Sequence, residues 1–269
     1  MPLEKVKFIA ADMDGTLLDE HGQLDPSFFD LYKQMRESGI QFAAASGRQY
    51  YSLIDTFSPI KDDILFIAEN GTFVMHQGKE LYSCTIDQNS IHKIIEQVRQ
   101  IQDSFVVLCG KNSAYIETED AQAVSEINKY YHRCESVSDL LTVQDEFIKV
   151  AILHFGGTAE YVYPIINEKF GETHKVVVSG QIWLDVMNAV ASKGAAIERL
   201  QQSMNFSYHE TMSFGDYFND LEMLQASYHS YAVENAQEGV KAAARFRAPS
   251  NQDKGVFKVI QNYLQTLNS

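Results

Sequence analysis

A doubly wound parallel α/β sheet, interrupted by an inserted α+β unit, is the fold class this 269-residue chain predicts. The first observation is a short apolar run at residues 6–11 that reads as a buried strand and ends at Asp12-Met13-Asp14-Gly15-Thr16. The second is the alternation of strand and helix signals from there to residue 68, the pattern of a parallel sheet with helices on its faces. The third is that this rhythm stops near Thr85 and resumes after Asn188. Residues 1–84 and 189–269 are therefore expected to form one core, with residues 85–188 as the insert.

In chain order, Asp25-Pro26 opens a helix, Asp as cap and Pro in the first turn. Phe28, Leu31, Tyr32 and Met35 fall on one face of it and Gly39 closes it. Residues 40–45 are a strand ending in Ser46-Gly47-Arg48, residues 49–57 a helix, and residues 63–68 a third strand ending in Glu69-Asn70-Gly71. Residues 73–75 and 81–83 flank His76-Gln77-Gly78-Lys79-Glu80, a hairpin signature.

Within the insert, Ile91, Ile94, Ile95 and Val98 mark a helix after Asp87, followed by strands at 105–108 and 114–117. Val124, Ile127 and Tyr131 mark a second helix, and residues 147–153 a strand. A helical pattern at 159–170 contains Pro164, so it is kinked there or starts later. Strands at 175–178 and 182–187 close the insert. Beyond it come a helix carrying Ala196, Ile197, Leu200 and Met204, a strand at 210–214 ending at Gly215-Asp216, and a helix from Asn219-Asp220. A strand at 230–233, a short helix at 238–244 and a C-terminal helix through Val256, Val259, Ile260, Tyr263 and Leu267 complete the chain.

The formal net charge of −14 argues against nucleic acid or an anionic membrane surface as partner, while leaving room for a small anionic substrate held by local cations. Cys84, Cys109 and Cys134 are odd in number and widely spaced, which suits reduced thiols better than disulfides or zinc. No apolar run reaches membrane-spanning length, and the N-terminal one is short for a signal peptide and broken by Asp12. A soluble, cytoplasmic protein is expected.

The chemistry concentrates at strand ends and helix starts. Side-by-side buried carboxylates repel and need a cation, a shared proton, or both. Asp12 and Asp14 at the end of a strand, in the crevice of such a sheet, therefore suggest a hard metal such as Mg2+. Asp216 and Asp220 offer further carboxylates. The Ser46 hydroxyl and Gly47 amide suit phosphate oxygens, and Lys193 supplies a point charge. Taken singly, Ser46-Gly47 is an ordinary loop start and Lys193 a solvated helix residue; a helix cap is the plain alternative for Asp216, and a turn the weaker alternative for Asp14-Gly15. Their order and placement together point to phosphoryl transfer. Asp12 is then the candidate nucleophile and Asp14 the candidate acid-base group, its pKa expected to be raised by neighbouring negative charge.

Asp12-Met13-Asp14-Gly15-Thr16-Leu17-Leu18, Ser46-Gly47-Arg48, Lys193-Gly194 and Gly215-Asp216-Tyr217-Phe218-Asn219-Asp220 resemble the four motifs of the haloacid dehalogenase-like hydrolases. The α+β insert after Glu69-Asn70-Gly71 is similar to the large cap of the Cof-type branch. The resemblance implies a Rossmann-like core and a Mg2+-dependent phosphatase of small phosphorylated metabolites, working through an aspartyl phosphate on Asp12. It implies Mg2+ held by the Asp12 side chain, the Asp14 backbone carbonyl and Asp216, with Asp220 on metal-bound water. It also implies phosphate contacts from Ser46, Gly47, Lys193 and Asn219. Ser192 departs from the Asn often found before that lysine.

A sugar-phosphate phosphotransferase or mutase shares the same scaffold and intermediate; Asp14 disfavours the ATPase-type members but does not separate a phosphatase from a mutase. A non-catalytic sugar-phosphate sensor is disfavoured because Asp12 and Asp14 are both present. An Asp-x-Asp glycosyltransferase leaves Lys193 and Gly215-Asp216 unexplained. In the insert, the turns Gly110-Lys111-Asn112 and Ser179-Gly180-Gln181 are expected to reach the site.

Overall fold

The computed structural model describes residues 5–267; residues 1–4 and 268–269 of the predicted core segments lie outside the described residues. The first half of the large sheet runs β1 (Phe8–Asp12), α1 (Ser27–Glu37), β2 (Gln41–Ala45), α2 (Tyr50–Thr56) and β3 (Leu65–Ala68), followed by the hairpin β4 (Phe73–His76) and β5 (Lys79–Ser83). The insert begins with α3 (Gln88–Val98), β6 (Ser104–Gly110), β7 (Ala114–Ile116), α4 (Ala121–Ile127) and β8 (Cys134–Ser136). It continues with β9 (Phe147–His154), the single turn α5 (Thr158–Tyr161), α6 (Tyr163–Phe170), β10 (His174–Val178) and β11 (Trp183–Asn188). The chain then returns with α7 (Lys193–Met204), β12 (Thr211–Gly215), α8 (Leu221–Gln225), β13 (His229–Val233), α9 (Glu238–Ala243), β14 (Phe246–Ala248) and α10 (Gly255–Leu267).

Two sheets result. The eight-stranded sheet has the order β14-β13-β12-β1-β2-β3-β4-β5, parallel from β14 to β3 and antiparallel through the hairpin. The chain steps outward from β1 in one direction through β2 and β3, and in the other through β12 to β14. β1 and β12 thus flank the topological switch point, where a crevice opens at the strands' carboxyl ends. β1 is buried on both faces. Ile9 and Ala11 pack with Phe28, Leu31, Phe257 and Ile260 on one side. Phe8 and Ala10 meet Ala196, Ile197, Leu200 and Met223 on the other. That two-sided burial explains its unbroken apolar run.

The six-stranded sheet has the order β10-β11-β9-β6-β7-β8. One of its faces packs Val106, Leu108, Val150, Ile152, Leu184 and Val186 against Ile91, Ile94, Ile95 and Ile166 of α3 and α6. Strand alternation turns the intervening residues, among them Trp183 and Asp185, to the opposite face.

Several expectations shift in detail. Pro164 sits in the first turn of α6, so the predicted helix at 159–170 is broken after α5 and starts later. Tyr131 lies beyond α4, which Asp120 caps by accepting from the Ala123 amide at 2.8 Å. The three-residue strands β8 and β14 carry no readable alternation and were not expected. Among the described residues, no helix is long and apolar enough to cross a membrane.

Candidate active site

Asp12 closes β1 and Asp216 follows β12, so the neighbouring parallel strands of the switch point deliver two carboxylates to one crevice. Lys193, the first residue of α7, completes the group: its Nζ donates to Asp12 Oδ1 at 2.6 Å and to Asp220 Oδ1 at 2.7 Å, all three side chains being buried. A lysine at a helix N-terminus opposes the helix dipole, so these two carboxylates are what makes its position tenable. Asp220 Oδ2 accepts from the Asp216 and Tyr217 amides at 3.0 and 3.2 Å. Thr16 donates to Asp216 Oδ1 at 3.1 Å. Gly15 takes φ +80, and a Cβ there would stand 2.5 Å from Asp216 Oδ2, so the turn after Asp14 requires glycine for both reasons.

Asp12, Asp216 and Asp220 each present an oxygen, all within 4.8 Å of one another. Burial, reinforced by the Asp220 charge, pushes the Asp12 pKa well above the carboxylate range, while Lys193 opposes the shift. Burial and Asp220 push Asp216 up to about 6. Three carboxylates against one ammonium leave a buried negative excess presented on oxygen donors. That donor set fits a hard divalent cation.

Asp14 is placed differently. Its half-exposed carboxylate is forked by Arg48, Nε at 2.7 Å and Nη2 at 2.5 Å, and stands apart from the grouped side chains. The negative neighbourhood expected around Asp14 is therefore corrected: its nearest charge is a guanidinium. Arg48 also lies 5.8 Å from the centre of the Tyr130 ring. Ser46 is buried after β2, its Oγ accepting from the Arg48 amide at 3.1 Å. Asn219 donates to Asn70 Oδ1 at 3.0 Å. Ser192 accepts from the Ala195 amide at 3.0 Å and so caps α7. Gly71, at φ +89, lets the turn after β3 press on that cap, since a Cβ there would lie 2.3 Å from the Ser192 carbonyl oxygen.

A cavity of about 590 Å³ joins these residues to the open face of the six-stranded sheet. Asp12, Asp14, Ser46, Gly47, Asp216 and Asn219 line one side of it. From the insert come Glu126, Tyr130, Tyr131, Lys149, Trp183 and Asp185, with the Ser179-Gly180-Gln181 turn. That turn reaches the site as expected. The Gly110-Lys111-Asn112 turn does not: Lys111 pairs with Glu80 and Glu146 at 3.1 and 3.2 Å, bracing the insert against the β5 edge.

Sequence reasoning passed over Glu69, Asn70, Lys149 and Asp185, which the fold brings together and buries. Lys149 Nζ lies 2.6 Å from Glu69 and 3.6 Å from Asp185, and Asn70 donates to Asp185 at 2.5 Å. A usable signal existed. Lys149 and Asp185 are single charges within otherwise apolar strands, a pattern that demands buried partners.

Switch-point carboxylates, a buried lysine and a roofed cavity define an α/β enzyme built to handle a charged small substrate. Residues 9–260 match the family described as haloacid dehalogenase-like hydrolase. The chain belongs to that family and is a phosphatase, and such hydrolases generally use a divalent metal. It is 34% identical over 262 residues to the 5-amino-6-(5-phospho-D-ribitylamino)uracil phosphatase YbjI of Escherichia coli K12, covering 97% of each chain. The crystal structure of SMU.1108c from Streptococcus mutans UA159 superposes with a TM-score of 0.89 at 30% identity, covering 97% of this chain and 100% of that one. The subclass IIB sugar phosphatase BT4131 superposes at 0.83 with 21% identity, over 96% and 99%, which speaks for the fold alone.

Proposed function

We propose that this protein is a Mg2+-dependent phosphatase that hydrolyses small phosphomonoesters through an aspartyl phosphate on Asp12. The observation that carries the reading is Asp12 itself: a carboxylate at the switch point, held by Lys193 and open to the cavity. A carboxylate oxygen of Asp12 attacks phosphorus, the bond to the leaving oxygen breaks, and Asp14 gives that oxygen a proton. Asp14 then takes a proton from water, whose oxygen attacks phosphorus; the bond to Asp12 breaks and phosphate is released. The Arg48 fork holds Asp14 as the carboxylate, the form that takes the proton from water, and has to open for Asp14 to carry the proton it gives to the leaving oxygen. Ser46, Gly47, Lys193 and Asn219 hold phosphate oxygens. Asp12, Asp216, the Asp14 carbonyl and, through water, Asp220 would hold Mg2+, which supplies charge neutralisation for the phosphoryl oxygens.

The Escherichia coli relative's named substrate, a ribityl phosphate joined to an aminouracil ring, suggests the substrate class here: a phosphorylated polyol or sugar, with or without a ring. Tyr130 and Trp183 offer flat apolar faces in the cavity, and Ser179 and Gln181 offer polar groups for hydroxyls. In this reading residues 1–84 and 189–269 are the core and 85–188 the cap, which excludes water over the leaving group. Free thiols at Cys84, Cys109 and Cys134 support a cytoplasmic setting.

The test is release of inorganic phosphate from p-nitrophenyl phosphate with and without Mg2+, for wild type and Asp12→Asn. Turnover that requires Mg2+ and vanishes in the variant is expected. Unchanged turnover by Asp12→Asn would overturn the mechanism.

A further inference from the structure

Lys149 belongs to the inserted sheet, yet its ammonium, besides pairing with Glu69 and Asp185, reaches the loop that follows β2. Its Nζ donates to the Gly47 carbonyl at 3.0 Å. That carbonyl and the Arg48 amide belong to one peptide group, and the Arg48 N–H donates to Ser46 Oγ. A lone pair of the Ser46 hydroxyl is thereby taken, which leaves its own proton to donate to another partner, and Ser46 lines the cavity. Hydrogen bonds in series polarise one another. An ammonium on the carbonyl makes the Arg48 N–H a better donor, and this makes the Ser46 O–H a better donor in turn.

The same buried group grips the loop from its other side. Asp185, also of the insert, accepts from Asn70 Nδ2, and Asn70 Oδ1 accepts from Asn219 Nδ2. The Asn70 amide packs so closely on Gly47 that a Cβ there would stand 3.1 Å from its Oδ1. Burial works against the Lys149 ammonium, but Asp185 and Glu69 outweigh it and hold the lysine charged.

We propose that Lys149 is a positioning residue for phosphate binding. It fixes the Gly47–Arg48 peptide and through it the Ser46 hydroxyl, tying the seating of the insert to the readiness of the phosphate loop. This rests on the reading of Ser46 as a phosphate donor.

The test is a double-mutant cycle of Ser46→Ala and Lys149→Met, read by inhibition constants for inorganic phosphate and by kcat and KM separately. Lys149→Met strands Glu69 and Asp185, so the triple variant Lys149→Met/Glu69→Gln/Asp185→Asn, with the charges removed together, is measured beside it. Each lysine variant is expected to weaken phosphate inhibition by roughly 10- to 100-fold, the size of effect that misplacing one hydrogen bond to a charged group produces. Adding Lys149→Met to Ser46→Ala should cost little more than Ser46→Ala alone. Wild-type phosphate inhibition in the folded triple variant, or losses that simply multiply in the cycle, would overturn the proposal. If Ser46→Ala alone leaves phosphate inhibition unchanged, the phosphate-donor reading of Ser46 is what has failed, and the proposal falls with it.

Discussion

Lys193 and Lys149 are both fully buried, and each lies against two carboxylates, but the company those carboxylates keep is different. Around Lys193 a third acid, Asp216, stands within reach of the other two, and the group borders the cavity through Asp12 and Asp216. Around Lys149, which itself borders the cavity with Asp185, the further contacts are the Gly47 carbonyl and the Asn70 amide. Burying charge is expensive, and satisfied hydrogen bonds decide whether the cluster is tolerable. Both clusters border the cavity; the first gathers three carboxylates around one lysine, whereas the second, with two, is tied to the Gly47 carbonyl and Asn70 and joins two sheets. On the proposals above, the same residue type serves chemistry in one place and geometry in the other.

Activity should separate them most sharply. Asp12→Asn, which keeps shape and removes the charge of the proposed nucleophile, is expected to lower turnover on the order of 10³-fold or more while far-UV circular dichroism stays unchanged. Lys149→Met should lower turnover far less, because on the proposal above Lys149 acts only through the loop that carries Ser46. Comparable losses in both would erase the distinction.

Stability should show a different contrast. Removing either lysine strands buried carboxylates, and each variant is expected to lose roughly 3–5 kcal/mol in urea unfolding. Mg2+ should restore part of that loss in Lys193→Met, where the stranded Asp12 and Asp220 sit beside Asp216, and none of the loss in Lys149→Met. In wild type, saturating Mg2+ at about 100 times its dissociation constant should add about 2.7 kcal/mol by linkage, and Asp216→Asn should remove most of that gain. Equal Mg2+ rescue of the two lysine variants would show that the clusters are not distinct in kind.

The two clusters also differed in how far the chain announced them. Asp12, Lys193 and Asp216 stand at element boundaries, where a strand's end or a helix's start can be read from local pattern, and the parallel sheet then brings them together. Lys149, Asp185 and Glu69 depend on packing between sheets, which local periodicity does not encode. Lys149 and Asp185 were visible as charges inside apolar strands, but their partners were not. Asp14 shows the same limit: its neighbour Arg48 is 34 positions away, and its half-exposed ion pair could not be inferred from spacing. The strands β8 and β14, three residues each, are too short for alternation to register.

The smallest effect tests what places each lysine. Strand pleat sets Lys149, whereas Lys193 is set by where α7 begins, and Ser192 marks that point by accepting from the Ala195 amide. Ser192→Ala removes the cap and should cost about 1 kcal/mol. Ser192→Asn keeps a side-chain oxygen at the same position, and Asn caps as well as Ser, so stability should stay within about 0.5 kcal/mol of wild type. Turnover should follow the same order, because an unfixed first turn lets the Lys193 ammonium drift from Asp12. A Ser192→Asn variant that loses as much of both as Ser192→Ala would mean that the tight seat beneath Gly71, where the Ser192 carbonyl leaves no room for a Cβ, governs this position instead of the cap.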